Sequence, residues 1–240
     1  MIPSVADLLR AAWRLYRSTL ALLSGYLAWL LLPIIALVLL SFAPAGVAAD
    51  AASLLIQLGG AVLSIWISLI VIRILSASAT GRHEALPAVI RSSRERFGPF
   101  LTVSVLQGIV VLGGFILLIV PGLIFLVWYA FASLEAALSG RHGLAALAAS
   151  RNLARDRFWP VMWRLAAGPV VLTAWYAILM GIIFIPLLVA TGTTIAAVTG
   201  DHPPIWFLAF DALGQTFFLT PLLLAYSVLL YHSLAGERET

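Results

Sequence analysis

Six apolar stretches, each about twenty residues or longer, alternate with short polar connections along this chain, and they leave little choice of solvent. They run roughly over 20–43, 51–75, 98–120, 122–140, 158–190 and 205–234. A helix needs about 20 apolar residues to cross a hydrocarbon core about 30 Å thick. Inside that core every backbone N–H and C=O must be satisfied within the segment, so the stretches are expected to be helical. Only 10% of the 240 residues are charged and 62% are hydrophobic. A water-soluble globule carries about 25% charge on the surface it shows to water. The expected fold class is an all-α integral membrane protein, one membrane domain over residues 1–240.

The run from Leu20 to Ala43 exceeds the roughly 7–15 apolar residues of a cleavable signal. Despite Ala43-Pro44-Ala45 at its end, it reads as an anchor helix that stays in the protein. The fourth stretch is the shortest, and Pro121-Gly122 is expected to form the tight turn that separates it from the third. Pro169 and Pro186 in the fifth predict a tilt or kink.

Arginine placement supplies the orientation. All fourteen basic residues are arginine. Arg10, Arg14 and Arg17 precede the first stretch, and Arg73, Arg82, Arg91, Arg94 and Arg96 lie at or between the second and third. Arg141, Arg151, Arg155 and Arg157 lie between the fourth and fifth, with Arg164 just inside the fifth and Arg238 in the tail. The alternate connections, 44–50, 121–122 and 191–204, have no basic residue. By the positive-inside rule the arginine side is cytoplasmic, which puts both termini there and the protein in the inner membrane. This distribution also argues against nucleic acid as a partner, since no groove-shaped basic patch forms.

A repeat underlies the topology. Arg17-Ser18-Thr19-Leu20, Arg94-Glu95-Arg96-Phe97 and Arg155-Asp156-Arg157-Phe158 each open an odd-numbered stretch. The last two also share a proline, in Phe97-Gly98-Pro99 and Phe158-Trp159-Pro160. Leu8, Ala12, Leu15 and Thr19 precede the first copy at helical spacing, flanked by Trp13 and Tyr16; Leu86, Val89, Ile90 and Phe97 do so in the second. The six spans are therefore expected as three hairpins, over about 5–75, 85–140 and 144–234, each preceded by a cytoplasmic amphipathic interfacial helix. Such a helix lies in the headgroup plane, its apolar face toward lipid, with Arg17, Arg94, Arg96, Arg155 and Arg157 reaching lipid phosphates. The alternative is that these are ordinary basic loops required by topology.

Ile119-Val120-Pro121-Gly122-Leu123-Ile124, Ala145-Ala146-Leu147 and Ser150 through Trp159 follow one another in a distinctive order. The pattern resembles the bacterial membrane-protein group of the YciC-like proteins and the membrane domain of glycerophosphoryl diester phosphodiesterases. Two positions depart from it: Asp156 stands where a glycine is usual, and Ser139 where an acidic residue is expected. The phosphodiesterase activity of that group resides in a separate soluble domain. Aqueous segments here reach only about 25 residues, too few for a domain, so the resemblance implies the membrane part without the enzyme.

Ionisable groups within spans are costly and each is a candidate site. Glu135 and Arg164 either meet as a buried pair or snorkel separately. Asp211 sits in the outer part of the sixth span, with Gln215 at i+4 on the same face. That pair either binds a headgroup, cation or proton, or hydrogen-bonds a neighbouring helix as packing glue. Gly60, Ser64 and Ser68, and also Gly113-Gly114, permit close helix approach, and some of Trp29, Trp66, Trp128, Trp175 and Trp206 are expected in the bundle core.

Cysteine and lysine are absent, and no hydrolase, metalloprotease or phosphate-loop motif occurs. His83, His142, His202 and His232 lack metal-ligand spacing, and His83-Glu84 reads as a solvated turn. No catalytic residue, metal or cofactor is expected. The reading that follows is a non-enzymatic protein that engages anionic membrane lipids at its cytoplasmic face, with a lipid-handling or envelope-organising role. A small permease or transporter subunit, and an accessory subunit bound to a membrane-protein partner, are the alternatives.

Overall fold

The computed structural model describes residues 3–44, 46–82, 86–200 and 204–236, and its described elements are all helical. In order they are α1 (Val5–Leu27), a 3₁₀ turn (Ala28–Leu30), α2 (Leu31–Leu40), α3 (Val47–Ala79), α4 (Leu86–Leu117), α5 (Ile119–Tyr129) and α6 (Ala132–Ser139). Then come α7 (Gly143–Arg155), α8 (Phe158–Thr191), α9 (Ile195–Thr199), α10 (Ile205–Gly214), a π-helical segment (Gln215–Leu219) and α11 (Thr220–Gly236). Six helical runs are long and apolar enough to cross a membrane: Val5–Leu40, Val47–Ala79, Pro87–Leu117, Ile119–Ser139, Phe158–Thr191 and Trp206–Gly236. This is the architecture of a multi-pass membrane protein.

The helices outrun the apolar stretches that announce them. The Ser4 hydroxyl accepts from the Asp7 N–H at 3.2 Å and donates to the Asp7 carboxylate, so α1 starts well before the apolar run. At 34 residues, α8 is about 50 Å long at 1.5 Å per residue. Pro33 explains the 3₁₀ turn in the first span: its ring cannot coexist with an α-positioned carbonyl at Trp29, four residues back, so the helix tightens there.

By its contacts the chain divides into two compact units. The first comprises Met1–Thr19, Ser68–Pro169 and Leu224–Thr240, and the second comprises Leu20–Ile67 and Val170–Leu223. Every described arginine belongs to the first unit, and the second contains no basic residue.

In the first unit, α4 and α5 pack along each other around one extended residue, Leu118 (φ −167°, ψ 155°). The turn expected at Pro121-Gly122 thus lies three residues earlier. Pro121 instead occupies the first turn of α5, where a missing N–H costs nothing because no carbonyl partner exists. Gly114 and Gly122 let the two backbones close up, since a Cβ on Gly114 would lie 3.0 Å from the Gly122 Cα. The fourth span is itself interrupted at Ala130 and Phe131. There the fully buried Ser150 of α7 donates to the Trp128 carbonyl at 2.8 Å and accepts from the Phe131 N–H at 3.1 Å. One side chain satisfies both backbone groups freed by the break. Across the same unit, Tyr226 of α11 lies against Gly168 of α8, with its hydroxyl donating to the Arg164 carbonyl at 2.8 Å.

Of the apolar positions expected in the headgroup plane, those of the first stretch and Val89 of the second are packed against protein here, while Ile90 is exposed. Leu8, Ala12, Leu15 and Thr19 of α1, Val89 of α4, and Ala146, Leu147, Leu153 and Ala154 of α7 are all buried. The first two arginine-bearing stretches run on into spans one and three, while the third, α7, is a separate helix packed on α5 and α6.

In the second unit, α2 packs against α10. A Cβ on Gly60 of α3 would lie 2.9 Å from the Pro33 ring of α2, which is the close approach anticipated from the small-residue stripe. Phe184 of α8 is the aromatic hub, with the rings of Phe207 and Phe210 centred 4.7 and 5.9 Å away. Trp29 and Trp175 face outward rather than filling a core. They join an exposed belt of Leu, Ile and Val that an apolar solvent tolerates and water does not.

Candidate functional site

Two polar clusters stand out, one in each unit. The first is a cleft of about 480 Å³ where α3, α6 and α11 end. Its polar lining is Arg73, Ser76, Thr80, Arg82, Ser139 and His232, with Tyr231 beside them. Ser76 Oγ and His232 Nε2 are 2.9 Å apart, linking α3 to α11. Arg82 enters the lining through a Schellman-type helix end: Gly81 takes φ +68°, and the Arg82 N–H reaches back to the Ala77 carbonyl at 2.9 Å. Among the described residues no carboxylate lines the cleft.

Glu135 stands just behind this cleft, buried on α6. Its carboxylate accepts from Arg141 at 3.1 Å and from the Ser139 hydroxyl at 2.6 Å, and it also interacts with the Tyr231 hydroxyl. The partner considered for it, Arg164, is engaged elsewhere: its Nε donates to the Pro3 carbonyl at 2.8 Å and its NH1 to the Pro160 carbonyl at 2.9 Å. Glu135 and Arg164 therefore do not pair. Gly140 in the left-handed region (φ +71°) folds the chain back so that Arg141 can reach a carboxylate six residues earlier.

The arginines assigned to lipid phosphate divide. Arg17 on α1, Arg94 on α4 and Arg155 at the end of α7 are exposed, whereas Arg157 is half-buried in the link to α8. Arg96 points inward and donates to the carbonyls of Ala137 and Leu138 at 3.1 and 2.6 Å. That guanidinium closes the C-terminus of α6, where the helix dipole favours a cation. On α7, Arg151 lies 4.4 Å over the Trp128 ring.

The second cluster, within the second unit, is centred on Asp211. Gln215 Nε2 donates to Asp211 Oδ2 at 2.7 Å, so the i+4 pair read from the sequence is formed. Tyr176 of α8 completes it, its hydroxyl donating to Asp211 Oδ1 at 2.9 Å. Gly214 makes room for that phenol, for a Cβ there would lie 2.8 Å from the Tyr176 oxygen. Immediately after comes the π-helical segment at Gln215–Leu219, a wider turn that in other helices accompanies functional positions.

No family model, curated protein or solved structure matches this chain. Both clusters are consequently interpreted from their own chemistry. Among the described residues no group of three or more His, Asp or Glu side chains is placed to hold a metal ion. His83, Glu84, His202 and Arg238 lie outside the described residues. Sequence reasoning missed Arg141, Tyr176 and the Ser76–His232 link. The last two join residues 35 and 156 positions apart, for which local spacing carries no signal.

Proposed function

We propose that this is a non-enzymatic inner-membrane protein that gathers anionic lipid at its cytoplasmic face, in a lipid-handling or envelope-organising role, with both termini on that side. The observation carrying this reading is the pairing of exposed arginines with exposed large apolar side chains in the first unit. Trp13 stands among Arg10, Arg14 and Arg17, Ile90 beside Arg91 and Arg94, and Trp159 after Arg155. Guanidinium beside indole or aliphatic surface suits the headgroup boundary, where phosphate and acyl chain meet. The second unit contains no arginine. The amphipathic stretches act here through these outward residues while their buried faces hold the bundle, and the three-hairpin repeat is the arrangement that presents them together. The YciC-like resemblance accords with this reading and with a bacterial membrane.

Glutamine at Arg17, Arg94 and Arg155 together is expected to lower the enrichment of anionic lipid around the protein, at about 1 kcal/mol per side chain. Native lipid discs followed by mass spectrometry of co-extracted lipid measure this. Enrichment equal to that of the unaltered protein would rule the reading out.

A second reading, a small permease or transporter subunit, is favoured by Asp211 alone: a hydrogen-bonded acid in a helix widened by a π segment. Under it, Asp211→Asn should abolish substrate-driven flux in proteoliposomes, and flux that persists unaltered would dismiss the site.

A further inference from the structure

We propose that the cleft at the ends of α3, α6 and α11 binds a single phosphate group, carried by a lipid headgroup or by a small soluble phosphate. Three features of the cleft select an anion. Two guanidinium groups, Arg73 and Arg82, line it together with the hydroxyls of Ser76, Thr80 and Ser139 and the imidazole of His232, and among the described residues no carboxylate lines it. A phosphate offers oxygens that accept from both guanidinium groups, whose geometry matches it, while the Ser139 hydroxyl is already given to Glu135 and the Thr80 hydroxyl to the Ser76 carbonyl. The volume, about 480 Å³, admits a headgroup but not a second macromolecule.

Opposing influences at the ends of α3 and α6 are dealt with locally. Three helix C-termini meet here, and each bears a partial negative charge. The carbonyls closing α6 are taken by Arg96, and a carbonyl in the last turn of α3 is taken by the Arg82 N–H. The nearest acid, Glu135, is held by Arg141 and Ser139. Among the described residues the charged groups lining the cleft, Arg73 and Arg82, are both cationic.

This inference deepens the lipid reading above and rests on it only for the presence of anionic headgroups on this side. The test uses the full chain in discs of phosphatidylcholine, with or without a minor fraction of phosphatidic acid, and with inorganic phosphate titrated from solution. Native mass spectrometry and ³¹P NMR count tightly held phosphate. One retained equivalent is expected, weakened about tenfold or more by Arg82→Gln and displaced by Ala235→Trp, which fills the cleft from α11. Arg82 is exposed beyond the end of α3, so its variant keeps the test decisive even if the tryptophan variant does not fold.

Retention only with phosphatidic acid upholds the proposal with a headgroup as ligand, and retention of inorganic phosphate upholds it with a soluble one. The proposal is overturned if no equivalent is held, if both cleft variants hold it as before, or if the triple variant at Arg17, Arg94 and Arg155 is what removes it. Loss of bulk anionic enrichment in that triple variant, with the single equivalent intact, upholds both readings. A wild-type protein without bulk enrichment, yet with an equivalent sensitive to Arg82→Gln, upholds the cleft and rejects the wider lipid reading.

Discussion

Alanine at Gly168 should destabilise the protein by about 2 kcal/mol even though alanine is the better helix former. Glycine to alanine in a helix interior ordinarily gains about 1 kcal/mol. Here the added Cβ overlaps the Tyr226 ring, the largest side chain in the fully buried set, 1% exposed and anchored by its hydroxyl to the Arg164 carbonyl. A ring held at both its face and its tip cannot move aside cheaply, so overpacking outweighs propensity. Thermal unfolding in mild detergent, followed by tryptophan fluorescence, measures the difference. Truncating the ring in the Gly168→Ala, Tyr226→Ala double variant should recover part of the added penalty, so the two changes should be non-additive. A single variant as stable as the parent would mean that α8 and α11 are not seated as described.

The second large effect is expected at Ser150. Its hydroxyl serves the Trp128 carbonyl and the Phe131 N–H across the interruption of the fourth span. Ser150→Ala strands a buried donor and a buried acceptor at the price of one small group, costing about 2–3 kcal/mol. It should also raise hydrogen exchange at the Phe131 amide by a comparable factor. Ser150→Cys, nearly isosteric and a weak hydrogen-bonding group, should fall between. Unchanged exchange at Phe131 in the alanine variant would show that the break is satisfied by other means.

How far the sequence anticipates these features depends on the range of the interaction. All six spans were legible because membrane crossing demands length and apolarity, both local properties. Their ends were less so: α1 begins at Val5 and α4 at Leu86, because a helix has no reason to stop where hydrocarbon does. Pro121-Gly122 was misplaced as a turn, since proline favours turns and the first turn of a helix for the same backbone reason, its fixed φ. The Asp211–Gln215 pair was visible from i+4 spacing, while Tyr176 was not, being on another helix. The small-residue stripe at Gly60 pointed to a close approach without naming Pro33 as the surface approached. Burial of Leu8, Ala12 and Leu15 could not be told from lipid exposure by periodicity, because protein and acyl chain are equally apolar neighbours.

The π segment has a consequence for length. One residue more than the α repeat is taken up between Gly214 and Thr220, and each α residue turns the helix by about 100° and advances it by 1.5 Å. Deleting a single residue from Gln215–Leu219 would restore the ordinary repeat and leave Asp211 in phase with Thr220–Leu223, whereas winding the full-length segment as regular α-helix would turn Asp211 by about that angle. In the second case the carboxylate would leave the Tyr176 hydroxyl without any change of its own chemistry. The phase of the sixth span is thus set by how the segment is wound, and a variant that removes a single residue from it should disturb Asp211 less than a full-length variant that winds it as regular α-helix.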